Sequence, residues 1–207
     1  MMFAPTGRAE LAQRRPAVFL DRDGTLNEAC PDPDSGMPES PLAVADVRLL
    51  PGTAAALSGL VSAGYALVCV SNQPAAAKGK VASDQLLRVH ERVIELLAGQ
   101  GVELEASLLC LHHPHGVVGE LSGPCPCRKP APGMLLQAAG ALALDLGFSW
   151  IIGDTDADVA AGHAAGSRAV LIEYAPSAHK RAGRSDAQLR ASDVADAVAC
   201  LLDQRPR

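Results

Sequence analysis

Asp21-Arg22-Asp23-Gly24-Thr25 follows directly on the apolar run 17–20. In extended backbone, side chains two residues apart point to the same side, so Asp21 and Asp23 can face one small site while Arg22 points elsewhere. Gly24 lets the chain turn away sharply. Two carboxylates that close repel, and they call for a cation, a shared proton or a division of roles. A bare Asp-x-Asp is commonly a solvated turn; the apolar run before it and Gly-Thr after it argue for a site. Further polar segments are Ser71-Asn72-Gln73, Arg128-Lys129 and Asp154-Thr155-Asp156-Ala157-Asp158. Asp156 suits the first turn of a helix, where acids complement the dipole, but Asp154 lies too early for that role. Carboxylate oxygens with open water positions suit Mg²⁺, and Ser71, Asn72 and Lys129 can hold phosphate oxygens. No Gly-x-x-x-x-Gly-Lys-Ser/Thr run occurs, which excludes a P-loop nucleotide site.

A second cluster is of a different kind. Cys110-x-His112 and Cys125-x-Cys127 supply three thiolates and an imidazole, a closed tetrahedral Zn²⁺ set with no position left for substrate. His113 and His115 are the alternative imidazoles. Met1 to Arg15 holds arginines but no apolar core of a secretory signal, so metal binding in the cytoplasm is expected rather than disulfides.

The polar segments share a setting. Runs 17–20, 65–70, 107–110, 150–152 and 168–172 are short and apolar, as strands buried on both faces of a parallel sheet are. Helices are predicted over 53–61, from a Ser83 cap to Gly99, over 134–144 and 156–165, and over 193–202 behind a Ser192 cap. This alternation predicts an α/β fold with a doubly wound parallel sheet, whose ligands bind at the carboxyl ends of the strands. Asp21, Ser71 and Asp154 all lie at such ends. At 207 residues the chain is expected to be one domain over 16–207, with 1–15 as a flexible tail. Aromatics make up only 3%, leaving the core to Leu, Val and Ala. A net charge of −5 argues against nucleic acid or an anionic membrane as partner. No apolar run reaches the roughly 18 to 20 residues that span a bilayer.

Taken in order, Asp21-x-Asp23-Gly24-Thr25, Ser71, Lys129 and Gly153-Asp154-x-x-x-Asp158 resemble the four motifs of the haloacid dehalogenase superfamily of phosphatases, over residues 17–173. The resemblance implies a Rossmann-like sheet and an aspartyl-phosphate formed on Asp21, with Asp23 as general acid and base. It implies Mg²⁺ held by Asp21, Asp154 and the main-chain carbonyl of Asp23, with Asp158 in support. Ser71 and Lys129 would steady the phosphoryl group, with Asn72 and Gln73 beside them. The chemistry is sound in itself, because a carboxylate attacks a phosphate dianion only when cations neutralise their repulsion.

Cys125-x-Cys127 running into Arg128-Lys129-Pro130 is similar to the heptose 1,7-bisphosphate 7-phosphatase and histidinol-phosphatase subfamily. That likeness implies that Arg128 contacts substrate and that the zinc loop pins both cations. The chain departs from the subfamily at the Pro-rich segment 28–41, at Pro74-Ala75-Ala76-Ala77-Lys78 and at Thr155, which replaces a basic residue. The intervals between the motifs leave no room for a cap domain, so loops 28–41 and 110–127 are expected to form the rim. The expected function is hydrolysis of the 7-phosphate of heptose 1,7-bisphosphate, by a cytoplasmic monomer acting on a small phosphorylated metabolite. The alternative is histidinol phosphate, whose amine would suit an acidic rim of Glu28, Asp32 and Asp34. A silent zinc-stabilised interaction module is a third reading, opposed by the intact Asp21 and Asp23.

Overall fold

The central apolar runs are strands whose residues are buried on both faces, while the edge run 107–110 is only partly covered. In the computed structural model, which describes residues 14–183 and 185–204, the chain runs β1 (Ala17–Leu20), a short hairpin β2 (Cys30–Pro31) and β3 (Pro38–Glu39), α1 (Thr53–Ser62), β4 (Ala66–Asn72) and α2 (Ser83–Ala98). It continues with β5 (Ala106–Cys110), α3 (Gly133–Leu142), β6 (Trp150–Gly153), α4 (Asp156–Ala165), β7 (Arg168–Ile172), β8 (Leu189–Ala191) and α5 (Val194–Asp203). The main sheet has the order β5-β4-β1-β6-β7-β8, and every neighbouring pair in it is parallel. Of the expected tail, 1–13 lie outside the described residues, and Arg15 bridges to Leu144.

Alternation along the strands divides the core in two. Val18, Leu20, Leu67, Cys69 and Ile152 pack with Leu57 of α1, Val93 of α2 and Val198 of α5. Phe19, Val68, Val70 and Ile151 face the other way, against Met134 and Leu135 of α3 and Val159 of α4. Full burial of each such side chain contributes about 1.5 to 3 kcal/mol, which holds the three layers together. The order in which strands are added reverses about β1, with β4 on one side and β6 on the other, and the crevice beyond their carboxyl ends is where such sheets bind ligands.

Several local expectations shift. Ser83 is the first residue of α2 and makes no cap, the N-cap being Ala82. Asp193, not Ser192, caps α5, accepting a bond from the Asp196 amide at 2.9 Å. α3 ends at Leu142 because Ala143 turns left-handed at φ 52°. β8 and the β2–β3 hairpin are additional elements: they are only two or three residues long, too short for a local periodicity to mark them. Among the described residues no cap domain interrupts the sheet, and no helix is long and apolar enough to cross a membrane.

Candidate active site

The three central strands deliver their terminal residues to one crevice. Asp21 follows β1, Ser71 lies near the end of β4, and Asp154 follows β6. All three are buried. The Lys129 ammonium reaches in beneath them, donating to Asp21 Oδ1 at 2.8 Å and to the Val70 carbonyl at 2.7 Å. It also pairs with Asp158 Oδ1 at 2.6 Å. Burial works against its charge, but Asp158 and Asp21 outweigh burial and raise its pKa. Asp158 Oδ2 meanwhile accepts the Thr155 amide at 3.0 Å, its part of the capping box of α4, and also the Thr155 hydroxyl at 2.6 Å. Two glycines permit this packing. A Cβ on Gly24, at φ 85°, would lie 2.2 Å from Asp154 Oδ2, and one on Gly153 would lie 2.3 Å from Asp158 Cγ.

Asp21, Asp154 and Asp158 can offer oxygens within 4.8 Å of one another. Burial, then the Asp158 charge, pushes Asp21 up to about 6. Burial, then Asp21, pushes Asp154 up to about 8. Asp158 is engaged by Lys129 and Thr155, whereas Asp154 Oδ1 is buried with no partner. Asp21 and Asp154 are thus hard oxygen donors whose repulsion a divalent cation would relieve, a set that fits Mg²⁺.

Asn72 and Gln73, expected beside the phosphate, also make contacts that organise the site. Both ends of the Asn72 amide clasp Lys129: Nδ2 donates to its carbonyl at 2.9 Å, and Oδ1 accepts from its N–H at 3.0 Å. Gln73 Nε2 donates to Asp23 Oδ2 at 2.6 Å and to Ser71 Oγ at 2.9 Å. Truncating Asn72 to Ala should therefore cost about 1 to 3 kcal/mol in stability and lower kcat more than it raises KM, since it loosens the base of Lys129. Thermal unfolding and steady-state kinetics check this, and an unchanged kcat would contradict the clasp.

Arg22 stays out of the cleft, as expected, but its side chain folds back onto the site from behind. It is fully buried, and its guanidinium forks onto Asp23 at 3.1 and 3.0 Å. Asn27, Ser40 and Gln73 also donate to that carboxylate. Burial is the largest influence and raises the Asp23 pKa, but Arg22 and the three amide and hydroxyl donors together lower it. Nothing in a single Arg between two Asp signals this fold-back, because it depends on the buried space behind the site.

The second cluster assembles as a compact tetrad. Cys110 Sγ lies 3.6 Å from Cys125 Sγ and 3.1 Å from Cys127 Sγ, and the last two sulfurs are 3.3 Å apart. His112 Nδ1 is 3.8 Å from Cys110 Sγ and 3.4 Å from Cys127 Sγ. Tetrahedral bonds of about 2.3 Å give edges of about 3.8 Å, so the four donors fit Zn²⁺. His112 is the imidazole of the cluster; His113 instead accepts the His115 amide at 3.1 Å. The loop reaches the crevice by two routes. The Arg128 guanidinium donates to the His112 carbonyl at 3.2 Å. Val117 and Val118 donate to the Ala77 carbonyl, beside Lys78.

Above the buried floor lies a cleft of about 250 Å³, rimmed by Lys78, Arg128, Thr155, Lys180, Glu39 and Ser40. Segment 28–41 thus contributes to the rim as expected, whereas the cleft touches no residue of 110–127. Asp32 and Asp34 do not make an acidic rim, because both pair with Lys80, at 2.5 and 3.0 Å. Lys180 lies beyond the span of the recognisable motifs, and only the path of the chain after β7 brings it here.

A family model described as "HAD-hyrolase-like" matches residues 126–201. The D-glycero-beta-D-manno-heptose-1,7-bisphosphate 7-phosphatase of Yersinia pestis is 40% identical over 155 residues, 75% of this chain and 78% of that protein. The chain belongs to the haloacid dehalogenase-like phosphatases, hydrolases of phosphate monoesters. Within this family, a D,D-heptose 1,7-bisphosphate phosphatase from B. bronchiseptica, crystallised with magnesium and phosphate, superposes with a TM-score of 0.75. It is 26% identical, with 92% of this chain and 99% of that chain covered. A putative phosphatase of the family from Mesorhizobium loti is 38% identical with a TM-score of 0.70, covering 82% of this chain and 78% of that one.

Proposed function

We propose that this protein is a Mg²⁺-dependent phosphatase that removes the 7-phosphate of D-glycero-D-manno-heptose 1,7-bisphosphate through an aspartyl-phosphate on Asp21. The observation that carries the reaction is the Lys129 ammonium shared between Asp21 and Asp158 beside the unpartnered Asp154 oxygen. Asp21, Asp154 and the main-chain carbonyl of Asp23 would hold Mg²⁺, which supplies charge neutralisation at the phosphoryl oxygens. Asp21 attacks phosphorus as the bond to the sugar oxygen breaks, and Lys129 and Ser71 steady the phosphoryl oxygens. Asp23 protonates the departing oxygen, then takes a proton from the water that cleaves the aspartyl-phosphate. Its donors favour the ionised form needed for that second step. Gln73 keeps Asp23 and Ser71 in register.

The choice of substrate rests on the rim and on the relatives. Beyond the four aspartates of the floor (Asp21, Asp23, Asp154 and Asp158), Lys78, Arg128 and Lys180 line the cleft with one further acid, Glu39, which favours a second anion over an amine at the rim. Cys110, His112, Cys125 and Cys127 would hold a structural Zn²⁺ that fixes Arg128, and such thiolates suit a reducing cytoplasm.

The test is a panel of phosphate esters assayed with Mg²⁺. The bisphosphate should exceed histidinol phosphate by roughly 10- to 100-fold in kcat/KM, as one or two charge-assisted hydrogen bonds would give. Arg128→Ala should narrow that gap. A wild-type preference for histidinol phosphate would sink the heptose reading and leave the phosphatase chemistry standing.

A further inference from the structure

Among the described residues, Lys180 is the rim cation already held by an acid of the same rim. Its ammonium lies 2.7 Å from Glu39 Oε2, on β3, and both side chains are well exposed, at 32% and 44%. Both residues line the cleft with Arg128 and Lys78. The segment after β7 that carries Lys180 is itself firmly set. The Arg181 guanidinium donates to the carbonyls of Asp154 and Tyr174, each at 3.0 Å, and to Ser177 Oγ at 2.9 Å. The Ala182 amide donates to Asp156 Oδ2 at 2.6 Å, and the Tyr174 hydroxyl accepts the Ala29 amide at 3.3 Å. The backbone bearing Lys180 is thus tied to the same Asp154 that closes the floor of the site. Thr155, the nearest alternative on that wall, is neutral, and its hydroxyl is engaged by Asp158.

An exposed ion pair of this kind contributes at most about 1 kcal/mol, whereas a phosphate dianion offers an ammonium stronger charge-assisted bonds. Exchange of Glu39 for substrate phosphate is therefore downhill for Lys180. We infer that Lys180 is a specificity-determining residue that binds the second, non-transferred phosphate of the substrate, and that Glu39 holds it in place until the substrate arrives. The inference rests on the bisphosphate reading above. Glu39 has a second consequence. Once Lys180 turns to the phosphate, the freed carboxylate faces the incoming anion and weakens its binding, so selectivity is set by the pair rather than by Lys180 alone.

The readout is the ratio of kcat/KM for heptose 1,7-bisphosphate to kcat/KM for heptose 7-phosphate. Lys180→Ala should lower this ratio about 10-fold, mainly through KM for the bisphosphate, and Lys180→Arg should restore most of it. Glu39→Gln should raise the ratio, because it removes the competing charge. A wild-type ratio near one would overturn the bisphosphate reading and the inference with it. A wild-type ratio well above one that Lys180→Ala leaves unchanged would overturn only the role of Lys180. A ratio that falls equally in Lys180→Ala and Lys180→Arg would also overturn it, since binding by charge requires the arginine to substitute.

Discussion

Asp21→Asn lowers kcat by about 10⁴-fold or more at saturating Mg²⁺, because an amide cannot attack phosphorus. The fold should survive. The amide is nearly the same size, Lys129 keeps Asp158 and the Val70 carbonyl, and one of three crowded acids loses its charge. The melting temperature should therefore hold or rise while activity vanishes, and raising Mg²⁺ should not recover it. Asp23→Asn provides the contrast. It should also be severe, but its phosphoenzyme should accumulate, since cleavage of the aspartyl-phosphate needs the base. Steady-state assays, thermal melts and trapping of acid-stable phosphate on the protein separate the two. Substantial turnover by purified Asp21→Asn would remove it as the nucleophile.

Zinc removal is the second large effect expected. Protein purified without added metal should contain about one zinc per chain by elemental analysis. Stripping it, or replacing Cys125 by Ser, should release the Cys110–Cys127 loop and with it the His112 carbonyl that holds Arg128. Lys129 follows two residues after Cys127, so the same change loosens its approach to Asp21. A misplacement of about 1 Å at reacting groups typically costs about 10²-fold in rate. Activity should fall by that order, with recovery on Zn²⁺ and none on extra Mg²⁺. The sheet should remain folded, because its two apolar clusters are built mainly from strands and helices outside the loop, although Cys110 belongs to one of them and Cys125 and Cys127 pack against it. A Cys125→Ser protein with normal zinc content and full activity would refute the coordination.

These two effects separate what was legible in the sequence from what was not. Composition, the apolar runs and their alternation with helical patterns were enough to predict a parallel sheet, since burial on both faces demands continuous apolar strands. The placement of Asp21, Ser71 and Asp154 followed, because residues at strand ends in such a sheet must share one crevice. The zinc tetrad was equally visible, as three thiols and an imidazole in one loop have few other uses, although only the structure distinguishes His112 from its neighbours. The roles of Arg22, Asn72 and Gln73 were not legible. Each is a polar side chain whose partner lies behind or beside the site, and hydrogen-bond geometry carries no sequence period. Lys180 and Glu39 were hidden for the same reason at longer range. They are 141 positions apart in the chain and meet only through the packing of the β2–β3 hairpin against the segment after β7. Local residue chemistry determined the reaction, because strand-end carboxylates and a lysine are positioned by the sheet itself. Tertiary structure decided which polar groups support that reaction and which face the rest of the substrate, because those contacts form between elements that no local pattern relates.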